Sequence, residues 1–451
     1  MTQRSDETGR VGASSAPSSA YGARHGAEGA TPSRPDAKRD GSSLISDPAV
    51  FATGVPFDEF RRLRMEGGVT WVTEKPLWRH SGAVGRAIAG AGYWAVTRYE
   101  AIRAVSQQPE IFSSAAAGAF LTDPQSPQHL HMLRQLLLNM DAPEHTRLRA
   151  SLAPAFARKT IDRLRPTMFE HARTIVADLP RGETFDAVRR IAAELPLRVL
   201  ADFMGMPRSD TPLLHDWSNH LVGFDDPEYG GGSVLAFKRT VAEIFDYARR
   251  LAQEKRRRPG DDLLSFAVSS SLDGKTLSEA EIGHLCLLLV AAGEETSRHL
   301  LSGGLLALTE WPEEKERICR DRTLTASAVE EMLRWVTPIM LFRRTAVHDV
   351  ELEGQSIGAG DKVVLYYISA NRDERVFPEP DRFCIARAPN PQIAFGVGSH
   401  FCLGAYFARH EALALFEALH PHLRGFQRVG PIDRLESNFM NGIKHMPAVL
   451  N

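Results

Sequence analysis

A long apolar segment in the second half of the chain restricts the fold more than any other feature. It reads KTLSEAEIGHLCLLLVAAGEETSRHLLSGGLLALTEWP and covers residues 275–312. Thr276 and Glu279 have the spacing of a capping box, and Pro312 follows the far end, so the sequence predicts a helix of roughly thirty residues. Its middle is apolar on every face, which requires burial in the protein interior. The predicted fold class is therefore mainly α, with one long central helix.

Four residues, GEET at 293–296, interrupt the apolar middle of this helix. Glycine costs about 1 kcal/mol relative to alanine inside a helix, and buried carboxylates need partners. Either a function compensates for these residues, or they form a polar patch where two helices cross. The four residues alone leave both interpretations open.

Helical periodicity also dominates the rest of the chain after about residue 57. Further predicted helices cover residues 57–65, 98–107, 145–156, 159–179, 189–204, 233–258 and 326–336. Alternating strand patterns occur at 94–99, 345–357 and 362–368. The first 45 residues contain too few large apolar side chains to form a core, so a disordered tail at 1–45 is predicted ahead of one domain at 46–451.

Charge and cysteine content argue against several classes of function. The formal net charge is −2, so neither nucleic acid nor an anionic membrane surface is an expected partner. The four cysteines form no CxxC pair, which argues against a structural zinc site or an iron–sulfur cluster and favours a reducing, cytoplasmic location. The longest apolar run, 285–292, is too short to span a bilayer.

One cysteine, Cys402, lies in the glycine-rich stretch FGVGSHFCLGA at 395–405, just ahead of a helical pattern. At a helix N-terminus the dipole and the free amides favour an anionic sulfur, as a metal ligand requires. Gly396 and Gly398 permit a tight turn around that sulfur, and Gly404 leaves room for a flat cofactor. The alternative is a buried free cysteine without chemistry.

This stretch resembles the haem-binding signature of the cytochrome P450 family at every fixed position, and the resemblance extends from about residue 46 to the end. The matching residues are Phe395, Gly396, Gly398, His400, Cys402 and Gly404. The resemblance implies the cytochrome P450 fold, with a long central helix over the haem and a small β-sheet region. It also implies haem b as cofactor, with Cys402 as the iron ligand, His400 at a propionate and Phe395 beneath the cofactor near the sulfur. Such a thiolate ligand favours O–O bond cleavage.

Three other segments match the same family. AAGEETS at 291–297 resembles the distal-helix pattern, which implies that Glu295 and Thr296 deliver protons. His145 and Arg149, at i and i+4, and Arg344 match positions that bind haem propionates; an exposed basic face is the alternative for the first two.

Glu331 and Arg334 have the i,i+3 spacing of an ordinary surface ion pair. The resemblance implies instead that they join Arg382, in PEPDRF, to hold the cysteine loop in place. These three residues are predicted to be structural and not catalytic.

The resemblance implies monooxygenation, in which RH, O2, two electrons and two protons yield ROH and water. Since the chain contains no dinucleotide fingerprint and no cysteine cluster, electrons from NAD(P)H must arrive through partner proteins. Resemblance to bacterial members suggests a ferredoxin and a ferredoxin reductase, docking on the cysteine side, where Arg409 could contribute positive charge. A monomer is expected.

Seven apolar residues are candidates for the substrate pocket: Leu288, Ala291, Ala292, Ile339, Met340, Leu341 and Phe439. Each could equally be plain core, but together they indicate a hydrophobic substrate. The segments NMDAPEHTRLR, ETSRH and NGIKHMP resemble bacterial members that hydroxylate steroids, linear terpenoids or natural-product intermediates.

The cysteine loop lacks the extra residue that steroid side-chain oxidisers tend to carry before the histidine. Tailoring of a secondary metabolite, including antibiotic biosynthesis, is therefore the preferred interpretation, with the substrate free or bound to a carrier protein. A steroid or terpenoid hydroxylase is the alternative. A peroxide-using peroxygenase, which would typically lack the acid–alcohol pair, and a non-catalytic haem-binding protein are the alternatives of another class.

Overall fold

The computed structural model describes residues 44–269, 271–272 and 275–451. Its α-helices are α1 Pro48–Phe51, α2 Phe57–Met65, α3 Tyr99–Ser106, α4 Pro127–Leu133, α5 Glu144–Leu152, α6 Arg158–Ala177, α7 Glu194–Met204, α8 Thr211–Val222, α9 Val234–Arg257, α10 Leu263–Ser269, α11 Glu279–Gly293, α12 Glu295–Glu310, α13 Pro312–Arg320, α14 Thr325–Val336, α15 Tyr367–Ala370 and α16 Ala405–Leu419. Its strands are β1 Val69–Val72, β2 Leu77–Ser81, β3 Val84–Ile88, β4 Tyr93–Val96, β5 Phe112–Ser113, β6 Thr184–Asp186, β7 Ser271–Leu272, β8 Lys275–Thr276, β9 Leu341–Ala346, β10 Val350–Leu352, β11 Gln355–Ile357, β12 Lys362–Tyr366, β13 Phe426–Arg428, β14 Asp433–Arg434, β15 Ile443–His445 and β16 Pro447–Leu450. The mainly α fold class predicted from the sequence is confirmed.

The predicted central helix is present, but it begins later than expected and is broken once. Ser278, not Thr276, is the N-cap of α11, and its hydroxyl accepts from the Glu281 amide while the Glu281 carboxylate accepts from the Ser278 amide. Thr276 belongs instead to the short strand β8. Helix α11 ends at Gly293 and α12 begins at Glu295, so the break falls within the predicted GEET interruption.

Most of the predicted tail lies outside the described residues, but its last two residues do not belong to a tail. Leu44–Ser46 form a 3-10 turn, and Ile45 is fully buried. The backbone carbonyl of Ile45 accepts from the Tyr366 hydroxyl at 3.2 Å, and that of Ser46 accepts from the Asn438 amide at 2.6 Å. The folded part of the chain therefore begins by residue 44.

A five-stranded sheet forms the main β region, with strand order β1-β4-β12-β9-β5. β4 and β12 run parallel and the other neighbours run antiparallel. In the β9–β12 pair, Leu341 lies opposite Tyr366 and Arg344 lies opposite Val363. This register directs Arg344 into the protein, where its side chain is 5% exposed.

Two hydrophobic cores are found in the described part of the chain. The larger is built from the long helices, including α6, α7, α9, α11, α12, α14 and α16. The smaller lies between the N-terminal turns and the main sheet, around Ile45, Phe60 and Tyr366. Helix α16 packs along α6 and also contacts α12 and α14, so the loop that precedes α16 is anchored against the central helix.

No helix in the described ranges combines the length and the apolar character needed to cross a bilayer.

Candidate active site

The glycine-rich loop before α16 places Cys402 in a tight turn. Gly396 and Gly398 have φ values of 72° and 77°, a region that favours glycine. A side chain on Gly398 would also overlap the carbonyl oxygen of Ser106, which closes the other side of the loop. The amide of Cys402 donates to the carbonyl of Phe395 at 2.9 Å, so the loop folds back on itself around the sulfur.

The surroundings of the Cys402 sulfur act on its charge in opposite directions. On balance the pKa of the thiol is raised, because burial outweighs the hydrogen bond from the Gly404 amide and the positive charges of Arg149 and Arg409, which favour the thiolate. The Cys402 residue keeps accessible surface. Among the described residues, no group of three His, Cys, Asp or Glu side chains is arranged to hold a metal ion. The sulfur is thus a single candidate ligand with a donor amide and two cations beside it.

Four cationic or donor side chains converge near this sulfur, and they are the four predicted to bind propionates: His145, Arg149, Arg344 and His400. The rings of His145 and His400 lie 4.1 Å apart. Burial and the neighbouring arginines lower the pKa of His145, and burial lowers the pKa of His400 to about 2, with Arg344 the next largest cause. Both imidazoles are therefore neutral at pH 7.

Within the described ranges, no carboxylate lies within ion-pair distance of Arg149 or Arg344. Arg149 donates to the Phe401 carbonyl at 2.6 Å, and Arg344 donates to the Arg343 carbonyl at 2.8 Å. The Nε2 atom of His145 is buried and has no hydrogen-bond partner. Burying such charges without acidic partners is costly, so this cluster fits an anionic group that enters with a ligand.

The donor set therefore fits a haem. Cys402 would supply a thiolate ligand to the iron, and the arginines and histidines of the cluster would pair with two carboxylates such as the propionates. Glycines at 396, 398 and 404 keep the loop thin where a flat ring would approach it. Ser114, whose hydroxyl lies 3.3 Å from Nε2 of His400, belongs to the same cluster and had no sequence signal.

Phe395 lies beneath Arg409, whose guanidinium carbon is 4.6 Å from the ring centroid. Arg409 also forms an ion pair with Glu330, at 3.0 Å for one of its two contacts. Each of the two side chains is about one-third exposed. The cation predicted to attract a redox partner is therefore already paired inside the fold.

Glu331 and Arg334 are fully buried and form a bidentate ion pair with contacts of 2.9 and 2.8 Å. Arg334 also donates to the carbonyls of Asn371 and Pro380, both at 2.9 Å. These bonds tie α14 to the long loop that precedes Cys402. A surface ion pair, the alternative considered from sequence, is excluded by the burial.

The third member, Arg382, joins the network through its backbone only: its carbonyl accepts from Arg334 at 3.1 Å, whereas the predicted side-chain contact is not formed. Its side chain is half exposed and faces Glu379. Arg387 contacts Glu331 instead, at 3.2 and 3.1 Å from its Nε atom, and Asn390 donates to the same carboxylate at 3.1 Å. Both arginines belong to one loop, so sequence distance could not separate them; the loop turns Arg387 inward, where it also donates to the Pro378 and Arg382 carbonyls.

The break between α11 and α12 opens the central helix on one side. Ala292 is exposed and Thr296 is partly exposed, although the residues around them are mostly buried. The Thr296 hydroxyl donates to the Ala292 carbonyl at 2.6 Å. An accessible hydroxyl inside a buried helix suits contact with a small molecule in the adjoining space.

Glu295, the other predicted proton-transfer residue, is 1% exposed and points to a charged cluster. It pairs with Arg298 and lies 3.0 Å from Nε2 of His299, while Ser218 donates to it at 3.2 Å. Although burial opposes ionisation, the charge of Arg298 and its other hydrogen bonds lower the pKa of Glu295, so the carboxyl is ionised. Arg298 was missed, although its i,i+3 spacing from Glu295 was a usable signal.

Five of the seven predicted pocket residues keep accessible surface: Leu288, Ala291, Ala292, Ile339 and Phe439. Met340 and Leu341 do not line a cavity, because both are fully buried in the smaller core. Leu341 lies opposite Tyr366 in the β9–β12 pair, and Met340, just before β9, belongs to the same core as both. Phe120, which lies 5.5 Å from Phe439 between ring centroids, is an aromatic neighbour that sequence reasoning missed.

Comparison with known proteins gives consistent matches. The profile of the family described as "Cytochrome P450" matches residues 234–430. The steroid C26-monooxygenase of Mycobacterium tuberculosis is 35% identical over 404 residues, which is 89% of this chain and 91% of that protein. The methyl-branched lipid omega-hydroxylase of the same species is 38% identical, over 80% of this chain and 84% of that protein. A cytochrome P450 structure from Mycobacterium marinum, solved with pseudoionone, aligns at a TM-score of 0.82 with 36% identity, covering 91% and 99% of the two chains.

Proposed function

The chain belongs to the cytochrome P450 family and is a haem-dependent monooxygenase, and from this premise we propose that it hydroxylates a hydrophobic, largely aliphatic substrate of the steroid, terpenoid or branched-lipid kind. The observation that carries the chemistry is Cys402, set three residues ahead of α16 beside a partly buried cluster of two arginines and two histidines that has no carboxylate within ion-pair distance in the described chain. A haem-thiolate site needs a cysteine ligand for the iron and cationic or donor groups for the two propionates, and these residues provide both.

In this proposal the cofactor is haem b, held by Cys402 and by the cluster of His145, Arg149, Arg344 and His400. When bound, the haem supplies the iron centre at which O2 is reduced and one oxygen atom is transferred to the substrate. The Gly404 amide and the nearby arginines favour the anionic form of the Cys402 sulfur against the effect of burial, and a bound metal would complete the deprotonation. Phe395 and the glycines shape the loop around that sulfur.

Proton delivery is assigned to Thr296 and Glu295. The Thr296 hydroxyl has accessible surface at the helix break and is the donor nearest the reacting molecules in this assignment. Glu295 is ionised at rest, held by Arg298, so it acts by accepting a proton and passing it on to Thr296. The ion pair with Arg298 keeps this carboxylate in place between transfers.

Electrons are supplied from NAD(P)H through separate proteins, for which we propose a ferredoxin and a ferredoxin reductase. The enzyme itself acts as a monomer in the cytoplasm. Because Arg409 is already paired with Glu330, it contributes less free positive charge to the docking of an acidic ferredoxin than its place in the sequence suggests.

The substrate class rests on the relatives and on the apolar accessible residues. The two curated relatives named above act, by their names, on a steroid and on methyl-branched lipids. Ala291, Ala292, Ile339 and Phe439 would offer such a molecule an apolar surface. Secondary-metabolite tailoring, on a free or carrier-bound substrate, remains the second candidate because the cysteine loop lacks the extra residue typical of steroid side-chain oxidisers.

Two measurements test this function. The reduced protein with carbon monoxide should show the Soret band of a thiolate-ligated haem, and Cys402→Ser should abolish it while Cys319→Ser leaves it unchanged. A spin-state titration should then detect binding of a steroid, a terpenoid or a methyl-branched fatty acid. A histidine-type carbon monoxide spectrum would refute the haem-thiolate assignment, and binding only of carrier-linked acyl or aminoacyl groups would favour the second candidate.

A further inference from the structure

Glu294 is a second buried carboxyl next to Glu295, and the roles assigned so far do not use it. It lies at the break between α11 and α12, with φ −91° and ψ −62°, and has no exposed surface. Its Oε2 atom accepts from the Ser218 hydroxyl at 2.8 Å, whereas its Oε1 atom is buried without a hydrogen-bond partner. A carboxyl in such a setting is costly to ionise.

Ser218, on α8, connects the two neighbouring carboxyls. Its fully buried hydroxyl oxygen is 2.8 Å from Glu294 and 3.2 Å from the Oε1 atom of Glu295. The Ser218 hydroxyl has one proton, so it can donate to only one of these two carboxyls at a time and can accept a hydrogen bond from the other if that one is protonated.

The charges around the two carboxyls also indicate that one of the carboxyls is protonated. Arg298 is the cation in contact: it pairs with Glu295, and its other nitrogen is 3.9 Å from Oε1 of Glu294. Burial lowers the pKa of His299, on the same helix, and of His215, on α8, so both imidazoles are neutral at pH 7.

More distant groups do not change this balance. Tyr229, in the loop after α8, interacts with Arg298 and Glu295, but burial raises its pKa, so the phenol is neutral. The positive charge of Arg189 helps to lower the pKa of His215, and in the described chain Arg189 forms no ion pair with Glu294. Two buried carboxyls thus share one guanidinium, and one of them must be neutral.

Geometry decides which one is neutral. Glu295 makes the direct contact with Arg298, whereas the nearest approach of Arg298 to Glu294 is at 3.9 Å. Burial, together with the charge of Glu295, raises the pKa of Glu294 to about 8. The proton therefore resides on Glu294.

We propose that Glu294 is a positioning residue of the proton relay: it holds a proton in the resting enzyme and, in each turnover, passes it through the Ser218 hydroxyl to the ionised Glu295, which then hands it on to Thr296. In this step Ser218 gives its proton to Oε1 of Glu295 and takes the proton of Glu294. One proton moves in net terms and no electrons move. Glu294 is then recharged by a proton from water between turnovers. This inference rests on the proposed function only for its role in turnover.

The resting-state part is tested by infrared spectroscopy. The wild-type protein should show C=O stretching bands of protonated carboxylic acids that shift in D2O, and Glu294→Gln should remove one of them. Glu411→Gln serves as the matched control, because Glu411 is another buried carboxyl with a raised pKa, on α16. It should remove a different band. An unchanged spectrum in Glu294→Gln would overturn the inference.

The turnover part is tested by coupling, the fraction of NAD(P)H that ends in hydroxylated product. Glu294→Gln should lower coupling roughly ten-fold and increase the solvent deuterium isotope effect, with the carbon monoxide spectrum and substrate binding unchanged. Glu294→Asp, which restores a titratable group, should recover part of the coupling. Ser218→Ala should lower coupling in the same way, and it serves as the test if Glu294→Gln folds poorly. Unchanged coupling in both Glu294→Gln and Ser218→Ala would refute the relay.

The failure of this inference and that of the proposed function give different results. If the wild-type protein forms no thiolate-ligated haem and makes no hydroxylated product, the proposed function fails, while the infrared band still reports the proton on Glu294. If wild-type turnover is well coupled and Glu294→Gln is equally well coupled, only the relay role of Glu294 is lost.

Discussion

The Nε atom of Arg387 lies 3.2 and 3.1 Å from the two carboxylate oxygens of Glu331, and both side chains are buried. The same carboxylate accepts from Arg334 and from the amide of Cys384 at 2.9 Å. A single buried acid of α14 thus fixes the long loop that leads to Cys402. The stability of the cysteine loop depends on this network, although none of its members touches the sulfur.

Arg387→Ala should destabilise the protein by about 3 kcal/mol, because it leaves Glu331 buried with fewer partners. Urea unfolding, together with the retention of bound haem, measures the effect. Arg382→Ala is the matched control, since its half-exposed side chain pairs only with Glu379 at 3.4 Å, and it should cost well under 1 kcal/mol. Equal effects of the two substitutions would contradict the assignment of Arg387.

Gly398→Ala should disrupt the cysteine loop. The new side chain would meet the Ser106 carbonyl and would also occupy a φ of 77°. Gly354→Ala is the matched control, with a φ of 74° and open space around it, and should cost only the roughly 1–2 kcal/mol of backbone strain. The ratio of bound haem to protein in each variant separates the two causes. Similar haem content in both would show that the contact with Ser106 is unimportant.

Glu411, on α16, should make stability depend on pH. Burial raises its pKa from 4.5 to about 8, and its carboxyl accepts a hydrogen bond from Ser297. The folded state then holds a proton that the unfolded state loses above about pH 4.5, so the contribution to stability is complete below that pH and declines as pH rises toward 8. A full shift of this size corresponds to up to about 5 kcal/mol.

Urea unfolding of wild-type protein and Glu411→Gln between pH 5 and 8 checks this prediction. The substitution should flatten the decline in unfolding free energy, because glutamine does not titrate. Glu417→Gln, on the same helix but paired with Arg322 at the surface, should leave the decline as it is. If the unfolding free energy of the wild type and of Glu411→Gln changes equally with pH over this range, the assignment is refuted.

Thr296→Ala should lower the fraction of NAD(P)H that ends in product by a factor of roughly ten or more, since a positioned proton donor contributes at least that much. Substrate binding and the carbon monoxide spectrum should not change. Thr309→Ala provides the control: Thr309 lies on the same helix and its hydroxyl also donates to a backbone carbonyl, that of Leu306 at 2.7 Å. If both variants couple as the wild type does, Thr296 has no part in proton delivery.

Much of the fold could be predicted because its signals are local. Helix α2 begins and ends at the predicted residues, 57 and 65; α9 differs from its prediction by one residue at each end, and α14 by one residue at its start. Helical periodicity and capping depend on residues within a few positions of each other, and a sequence displays these directly. Even so, the capping box is formed by Ser278 and Glu281 and not by Thr276 and Glu279. Both pairs have the required spacing, so the sequence could not show which of them caps the helix.

The wrong predictions concern the direction in which a side chain points after a long loop or a strand pairing. Arg382 and Arg387 are equally placed in sequence, and the loop fold turns one outward and the other toward Glu331. Met340 and Leu341 are as apolar as Ile339, yet both are fully buried in the smaller core, against the main sheet. The residue types alone cannot distinguish the inward-facing from the outward-facing residue, because in each comparison both are of the same kind: two arginines, or apolar side chains of similar size.

The sequence by itself determined the chemistry available at the site: a lone cysteine among glycines ahead of a helix, and an acid and an alcohol within a buried helix. These features are contiguous in the chain, and their spacing is enough to identify the family. Only the tertiary structure decided that His145, Arg149 and Arg344 meet His400, and that Glu294 and Glu295 share one arginine across a serine of α8. Such charge balances arise between elements far apart in sequence, where the low dielectric of the interior makes every unpaired group costly.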